Sequence, residues 1–509
     1  MRRLAGLLAI ALVPMAVLFP SSAHGRDATV TSFDGTKIAV HFFPVADLEP
    51  GRRRPVVLLA HGFAERGPSA PDTALAGAPR VSSLLAAGYN VLTWDARGHG
   101  DSGGTAMFDS PDFEVRDTQA LIDWVASQPE VELDGPGDPR LGMTGSSYGG
   151  IIQYLTAALD DRVDVITPGY TAYSLSDTTI SRYGKFKEGW GLGLAGMAAA
   201  NVPAGLVSPL GPYLHLLDPV SVQGVLESVA TGVLSDGFRA YLDERSPSTY
   251  LSDVHVPTLV QGGTSDTLFP LVNAIRDYTV LQDRGVPVKM SWNCEGHSLC
   301  PGSPGPLREH FESLVINWFD RWLDQRPAVR TGAPFSWIAD NESVYREAAS
   351  FPPPVVGTLT GRASGSILIA PTGPPTSLGF LFIGAQPAVG AMEVPIAPPA
   401  QAADVVGHPT VRLSYRGLAF PAKTWVYGQI LDAVTGRVVG VQVTPIPVTL
   451  DGRQRAVEVE LEAIATRALP TGDYRLQLMP ASLLYGLQRS LGSVTVSEAR
   501  VTLPVIDPT

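Results

Sequence analysis

The 509-residue chain has only two cysteines, Cys294 and Cys300. That excludes a disulfide-dense scaffold and any multi-cysteine metal or iron–sulfur site. It is also poor in charge, with 17% Asp, Glu, Lys and Arg, and the acidic residues outnumber the basic ones to give a formal charge of −12. No basic face for a nucleic-acid backbone is expected from such a balance. Only one stretch, Leu4 to about Phe19, is long and apolar enough to enter a bilayer. No internal repeat is evident, which argues against solenoids and propellers. What remains is ordinary globular composition at a length that allows two or three domains.

The one apolar run follows Arg2-Arg3 and precedes Ser21-Ser22-Ala23-His24-Gly25. A charged start, an apolar middle and small residues at the end predict a secretory signal peptide over residues 1–25. Secretion, or placement in the cell envelope, is the corresponding expectation, with no stable membrane insertion after removal. An uncleaved anchor helix is the alternative. In an exported chain the Cys294/Cys300 pair reads as a disulfide. A Cys-His-Cys metal reading around His297 lacks a fourth ligand, so no metal is expected.

From 27 to 325 strand and helix signals alternate, as for Pro55–Ala60, Val81–Ala87, Asn90–Trp94 and Val115–Ser127. Alternation of this kind predicts an α/β domain with a doubly wound, mostly parallel sheet. A Gly-, Ala- and Leu-rich stretch at about 170–251 interrupts it and reads as an inserted helical cap. Residues 326–352 read as a linker. From 353 to 509 short β-rich runs, among them 411–415, 425–430 and 438–444, are separated by turns such as Asp451-Gly452. They predict an antiparallel β-sandwich.

Two runs fit Gly-x-Ser-x-Gly: Gly145-Ser-Ser147-Tyr-Gly149 and Gly100-Asp-Ser102-Gly-Gly104. The first follows a buried strand and opens a helix, the setting of a nucleophile elbow. The second resembles the nucleophile run of chymotrypsin-like proteases, which need two barrels and more chain before the serine than exists here. Ser102 therefore reads as part of a Gly-rich loop. A serine nucleophile needs a base and an orienting acid. After the cap, Asp266 follows the strand Thr258–Gly262, and His297 follows the strand Val286–Trp292. The order Ser147, Asp266, His297 is that of an α/β-hydrolase. The oxyanion donors are then expected to be the backbone N–H groups of Tyr148 and Phe63, with His61 structural.

These motifs resemble the α/β-hydrolase superfamily from Thr29 to Leu323. The elbow Gly145-Ser-Ser-Tyr-Gly-Gly150, the cap and the sandwich are together similar to the X-Pro dipeptidyl-peptidase and cocaine-esterase family. The resemblance implies a jelly-roll C-terminal domain. It also implies a serine hydrolase acting through an acyl-enzyme on a small ester or peptide, without metal or organic cofactor. One departure matters. The family usually carries a tyrosine in the loop after the third strand, whose hydroxyl donates to the oxyanion, whereas this chain reads His61-Gly62-Phe63, as esterases and lipases do. Peptidase and carboxylesterase readings therefore both stand. Glu188 is the candidate anion for a peptide's free amine, set against a solvated surface role. A non-catalytic protein binding cell-wall glycan or another exported protein is the reading from a different class. Oligomeric state is not encoded legibly.

Overall fold

The computed structural model describes residues 25–46, 48–199, 217–300, 307–370 and 384–507. The predicted signal peptide, apart from Gly25, lies outside the described residues.

The first sheet has ten strands. They are β1 (Arg26–Thr31), β2 (Lys37–Phe43), β3 (Val56–Ala60), β4 (Asn90–Trp94), β7 (Leu141–Ser146), β8 (Val165–Gly169), β9 (Thr258–Gly263), β10 (Val288–Asn293), β11 (Phe335–Ile338) and β12 (Tyr345–Ala348). A small hairpin, β5 (Leu133–Gly135) with β6 (Asp138–Pro139), stands apart. The strand order is β1-β2-β4-β3-β7-β8-β9-β10-β11-β12. Pairing is parallel from β4 to β11 and antiparallel at both ends.

The central strands are continuous apolar runs because both faces are covered. All five residues of β3 are buried. Val56, Leu58 and Ala60 join the core that includes α2 (Glu114–Ala126), α3 (Tyr148–Leu159) and α9 (Val272–Asp283). Val57 and Leu59 join the opposite core with α1 (Val81–Ala86) and α10 (Leu307–Trp322). Residues 326–352, expected to be a linker, instead supply β11 and β12 to this sheet. Phe335, Trp337 and Ile338 are fully buried there, so the apolar content of that stretch extends the sheet rather than bridging domains.

Between β8 and β9 the chain leaves the sheet and builds the cap from α4 (Leu175–Thr179), α5 (Glu188–Ala199), α6 (Pro219–Thr231), α7 (Asp236–Glu244) and α8 (Pro247–Tyr250). Three of these helices start on side-chain caps: Ser174, Asp218 and Ser235 accept from N–H groups in the first turns.

The C-terminal part is an antiparallel sandwich-type domain. Its strands are β13 (Val355–Ile369), β14 (Met392–Ile396), β15 (Ala403–Gly407), β16 (Thr410–Asp432), β17 (Arg437–Val438), β18 (Thr444–Glu460), β19 (Ile464–Ala468), β20 (Tyr474–Met479) and β21 (Leu491–Ile506). Alternating burial along β13 and the first half of β16 marks one face turned to a core. Two expectations change here. The runs at 411–415 and 425–430 are one long strand, β16. The run at 438–444 is broken by a turn in which Gly440 takes φ +62°.

Candidate active site

The parallel strands deliver their chemistry at their C-terminal ends, where loops can converge. Ser147 follows β7, Asp266 follows β9, His297 follows β10, and Phe63 follows β3. Ser147 has φ +58°, ψ −122°, a conformation costly for any residue with a side chain. Its neighbours make the turn possible. A Cβ on Gly145 would stand 2.4 Å from the Ala60 carbonyl oxygen, and one on Gly149 would stand 2.5 Å from that same atom. Only glycine lets the elbow lie this close to β3. The turn leaves Ser147 partly accessible at the start of α3.

His297 Nε2 lies 2.8 Å from Ser147 Oγ, and its Nδ1 lies 2.7 Å from Asp266 Oδ2. The carboxylate can only accept, so Nδ1 carries the proton and Nε2 is left to accept from the serine hydroxyl. Asp266 is fully buried, and its other oxygen accepts from the N–H groups of Leu268 (3.0 Å) and Phe269 (2.7 Å). The rings of Phe269 and Trp190 stand edge-on to His297 at 5.0 and 5.9 Å. Cys294 and Cys300 are bonded to each other across the His297 loop, so neither thiol is available as a metal ligand. This relay can activate a serine hydroxyl as a nucleophile.

Phe63 and Tyr148 face one another with ring centroids 6.0 Å apart. Their backbone N–H groups have no hydrogen-bond partner among the described residues, the condition a hole for an oxyanion requires. His61 is buried, with Nδ1 donating to the Gly62 carbonyl and Nε2 accepting from the Ala96 N–H, and burial pulls its pKa down. It is a structural residue. Ser102 is also occupied: its hydroxyl donates to the Asp95 carbonyl at 2.6 Å and accepts from the Ala39 N–H at 2.8 Å.

Two features had no legible sequence signal, and a third residue named from the sequence stands in unexpected surroundings. The first is an apolar cavity of about 240 Å³ under the cap, walled by Leu194, Val225 and Phe238 and bordered by Phe63, Trp190 and Phe269, whose rings also stand against Tyr148 or His297. Lys187 is the one charged residue in its lining among the described residues. The second is a buried acid pair beneath Tyr148. Glu114 accepts from the N–H groups of Met107 and Ser110 and from the Tyr148 hydroxyl, and burial raises its pKa to about 7. Asp109 beside it is fully buried, and neither carboxylate oxygen has a partner. Burial and the Glu114 charge push its pKa well above the ordinary range. The third is Glu188. It is not a solvated surface residue: it is 6% exposed and pairs with Lys185 at 2.6 Å and Arg489 at 3.1 Å. Two cations already neutralise it, which removes the vacancy an amine would need.

Residues 34–298, just over half of the chain, match the profile of X-Pro dipeptidyl-peptidase (S15 family). An uncharacterized 31.7 kDa protein of Escherichia coli is 30% identical over 115 residues. That match spans 22% of this chain and only 36% of the relative's length. Solved structures share the fold over nearly the whole chain. An aminopeptidase from a marine sediment Thaumarchaeota archaeon has a TM-score of 0.72 at 14% identity, covering 99% of both chains. An alpha-amino acid ester hydrolase has a TM-score of 0.70 at 14% identity, covering 97% of this chain and 100% of the other. A CocE/NonD family hydrolase from Staphylococcus aureus has a TM-score of 0.63 at 12% identity, covering 94% and 93%.

Proposed function

We propose, from the premise that the chain belongs to the X-Pro dipeptidyl-peptidase (S15) family, that this hydrolase works through Ser147 as a serine esterase with an apolar, uncharged acyl preference. The observation that carries the reaction class is the continuous relay Ser147–His297–Asp266. Ser147 Oγ attacks the ester carbonyl carbon while His297 Nε2 takes its proton. Asp266 holds the imidazolium that forms. The N–H groups of Phe63 and Tyr148 receive the oxyanion. Collapse expels the alcohol, which takes the proton from His297 and leaves an acyl group on Ser147. Water then attacks with His297 again as base, releasing the acid and restoring the serine.

The cavity under the cap supports the substrate reading. Its walls are aromatic and aliphatic, and its volume suits a short to medium acyl chain or an aryl acid. Cleavage after an X-Pro dipeptide is the second reading. The family match favours it, and a proline ring would also suit an apolar pocket. The paired state of Glu188 weighs against it. Export is part of the proposal, supported by the N-terminal sequence pattern and by the disulfide.

A fluorophosphonate probe tests the reaction class: wild type should label and Ser147→Ala should not. Equal labelling of both would refute it. Nitrophenyl esters of graded chain length, run beside Gly-Pro and Ala-Pro nitroanilides, decide the substrate class. Faster turnover of the amides would establish the peptidase reading instead.

A further inference from the structure

Lys187 stands immediately before α5, where cap, acid loop and sandwich meet. Its backbone is fixed, with its N–H donating to the Thr179 carbonyl at 2.9 Å and its carbonyl accepting from the Gly191 N–H at 2.9 Å. Its side chain is almost fully buried and lines the apolar cavity. The ammonium group reaches the carbonyl oxygens of Thr267 at 3.1 Å and Leu268 at 2.8 Å.

Those two carbonyls belong to the peptide units whose N–H groups are Leu268 N and Phe269 N. The same two N–H groups donate to Asp266 Oδ1. Lys187 and Asp266 therefore sit at opposite ends of two peptide groups, one at their C=O and the other at their N–H. A cation at the C=O end of a peptide polarises it and strengthens the N–H at the other end. Burying a lysine with no carboxylate in contact is costly, and this one is held by two carbonyls instead.

We propose that Lys187 is a positioning residue for the triad: through the Thr267–Leu268 and Leu268–Phe269 peptides it fixes and polarises the donors that hold Asp266, and so ties the cap to the acid of the relay. This inference rests on the serine-hydrolase reading above.

Burial lowers the pKa of Lys187 to about 8, with Glu462 and Asp266 opposing the shift. The charged groups around it are few. Asp266 faces it from the acid loop, Glu462 from the sandwich, and Arg182, Arg276 and Asp177 across a polar cleft. Arg182 is paired with Glu460, and Arg276 with Asp177. On its own segment, Lys185 and Glu188 pair with each other. As pH rises through about 8 the ammonium becomes an amine, and its bonds to the two carbonyls lose their charge assistance. Activity should then fall on an alkaline limb that belongs to Lys187.

The test is kcat and KM for nitrophenyl butyrate between about pH 6 and 10, on full-length wild type, Lys187→Met and Lys187→Arg. Lys187→Met should lose about tenfold in kcat, and its alkaline limb should vanish. Lys187→Arg, which keeps its charge across this range, should recover part of kcat and also lack the limb. Wild-type kcat in Lys187→Met, or a limb near pH 8 that persists in Lys187→Arg, would overturn the proposal. If Lys187→Met does not fold, the profile of Lys187→Arg decides alone. Fluorophosphonate labelling of Ser147 in the same samples separates the two readings. Labelling lost in Ser147→Ala, with an unchanged limb in the lysine variants, sinks only the Lys187 role; hydrolysis that survives Ser147→Ala sinks both.

Discussion

Glu188 of the cap and Arg489 of the sandwich form an ion pair at 3.1 Å, completed by Lys185 at 2.6 Å. Arg489 also donates to the carbonyls of Val229 and Ala230 at the end of α6, where cations are favoured by the helix dipole. Glu188→Gln leaves the buried ammonium of Lys185 without its counter-charge. A loss of about 3 kcal/mol is expected, at the low end for a broken buried pair because Arg489 is partly solvated. Chemical denaturation measures it. KM for a substrate with a free amine should not change more than KM for its N-acetyl analogue; a selective rise would restore Glu188 as an amine anchor.

Removing members of the relay should act on kcat rather than on binding. Ser147→Ala is expected to cost roughly 10⁶-fold, and Asp266→Asn about 10⁴-fold by stabilising the wrong histidine tautomer. Steady-state rates on an activated ester check both.

Gly149 is a steric requirement. A methyl group there meets the backbone oxygens of Ala60 and His61 at 2.5 and 2.8 Å, and neither can swing aside as a side chain would. Gly149→Ala should displace the start of α3 and with it the Tyr148 N–H. Loss of an oxyanion donor of this kind costs about 10²–10³ in kcat. Near-normal kcat in a folded Gly149→Ala protein would contradict this geometry.

Asp109 predicts a pH-dependent gain. Its folded pKa is raised, so the folded state binds a proton that the unfolded state releases. Stability from this group is complete below its unfolded pKa and is lost as pH rises through the folded one. Asp109→Asn removes that loss and tolerates the φ of +57° found there. The variant should melt higher than wild type at about pH 8, by the equivalent of about 1–2 kcal/mol, and the difference should shrink toward pH 5. Thermal melts at the two pH values test this; a variant less stable than wild type at both would refute it.

Filling the cavity tests acyl placement. Val225→Trp puts a large ring where α6 faces α5. KM for octanoyl esters should rise about tenfold or more, while acetyl esters are hydrolysed as before. Equal effects on both would place the acyl group elsewhere.

Much of this was legible because it depends on short-range pattern. β3 reads as a buried strand from five consecutive apolar residues. Ser147 and Ser102 share a motif, yet a strand before and a helix after distinguish the first, and the hydroxyl of the second is spent on Asp95 and Ala39. What escaped depends on distant partners. Lys187 and Glu188 look like surface residues of a polar stretch. The groups that allow their burial are Leu268 and Arg489, the latter 301 positions away from Glu188. Residues 326–352 looked like a linker because β11 and β12 are only four residues each, too short for a clear period.

Gln442 of the sandwich donates to the carbonyl of Asp266 at 2.8 Å. The acid of the relay is thus clasped from one side by the cap and from the other by a residue translated long after the nucleophile. The hydrogen bond joins residues 176 positions apart, so the acid loop reaches this arrangement only once the sandwich has folded against it. The seam between the two domains therefore runs along the acid loop itself, and an exchanged C-terminal segment would have to present an amide donor where Gln442 stands to keep this contact.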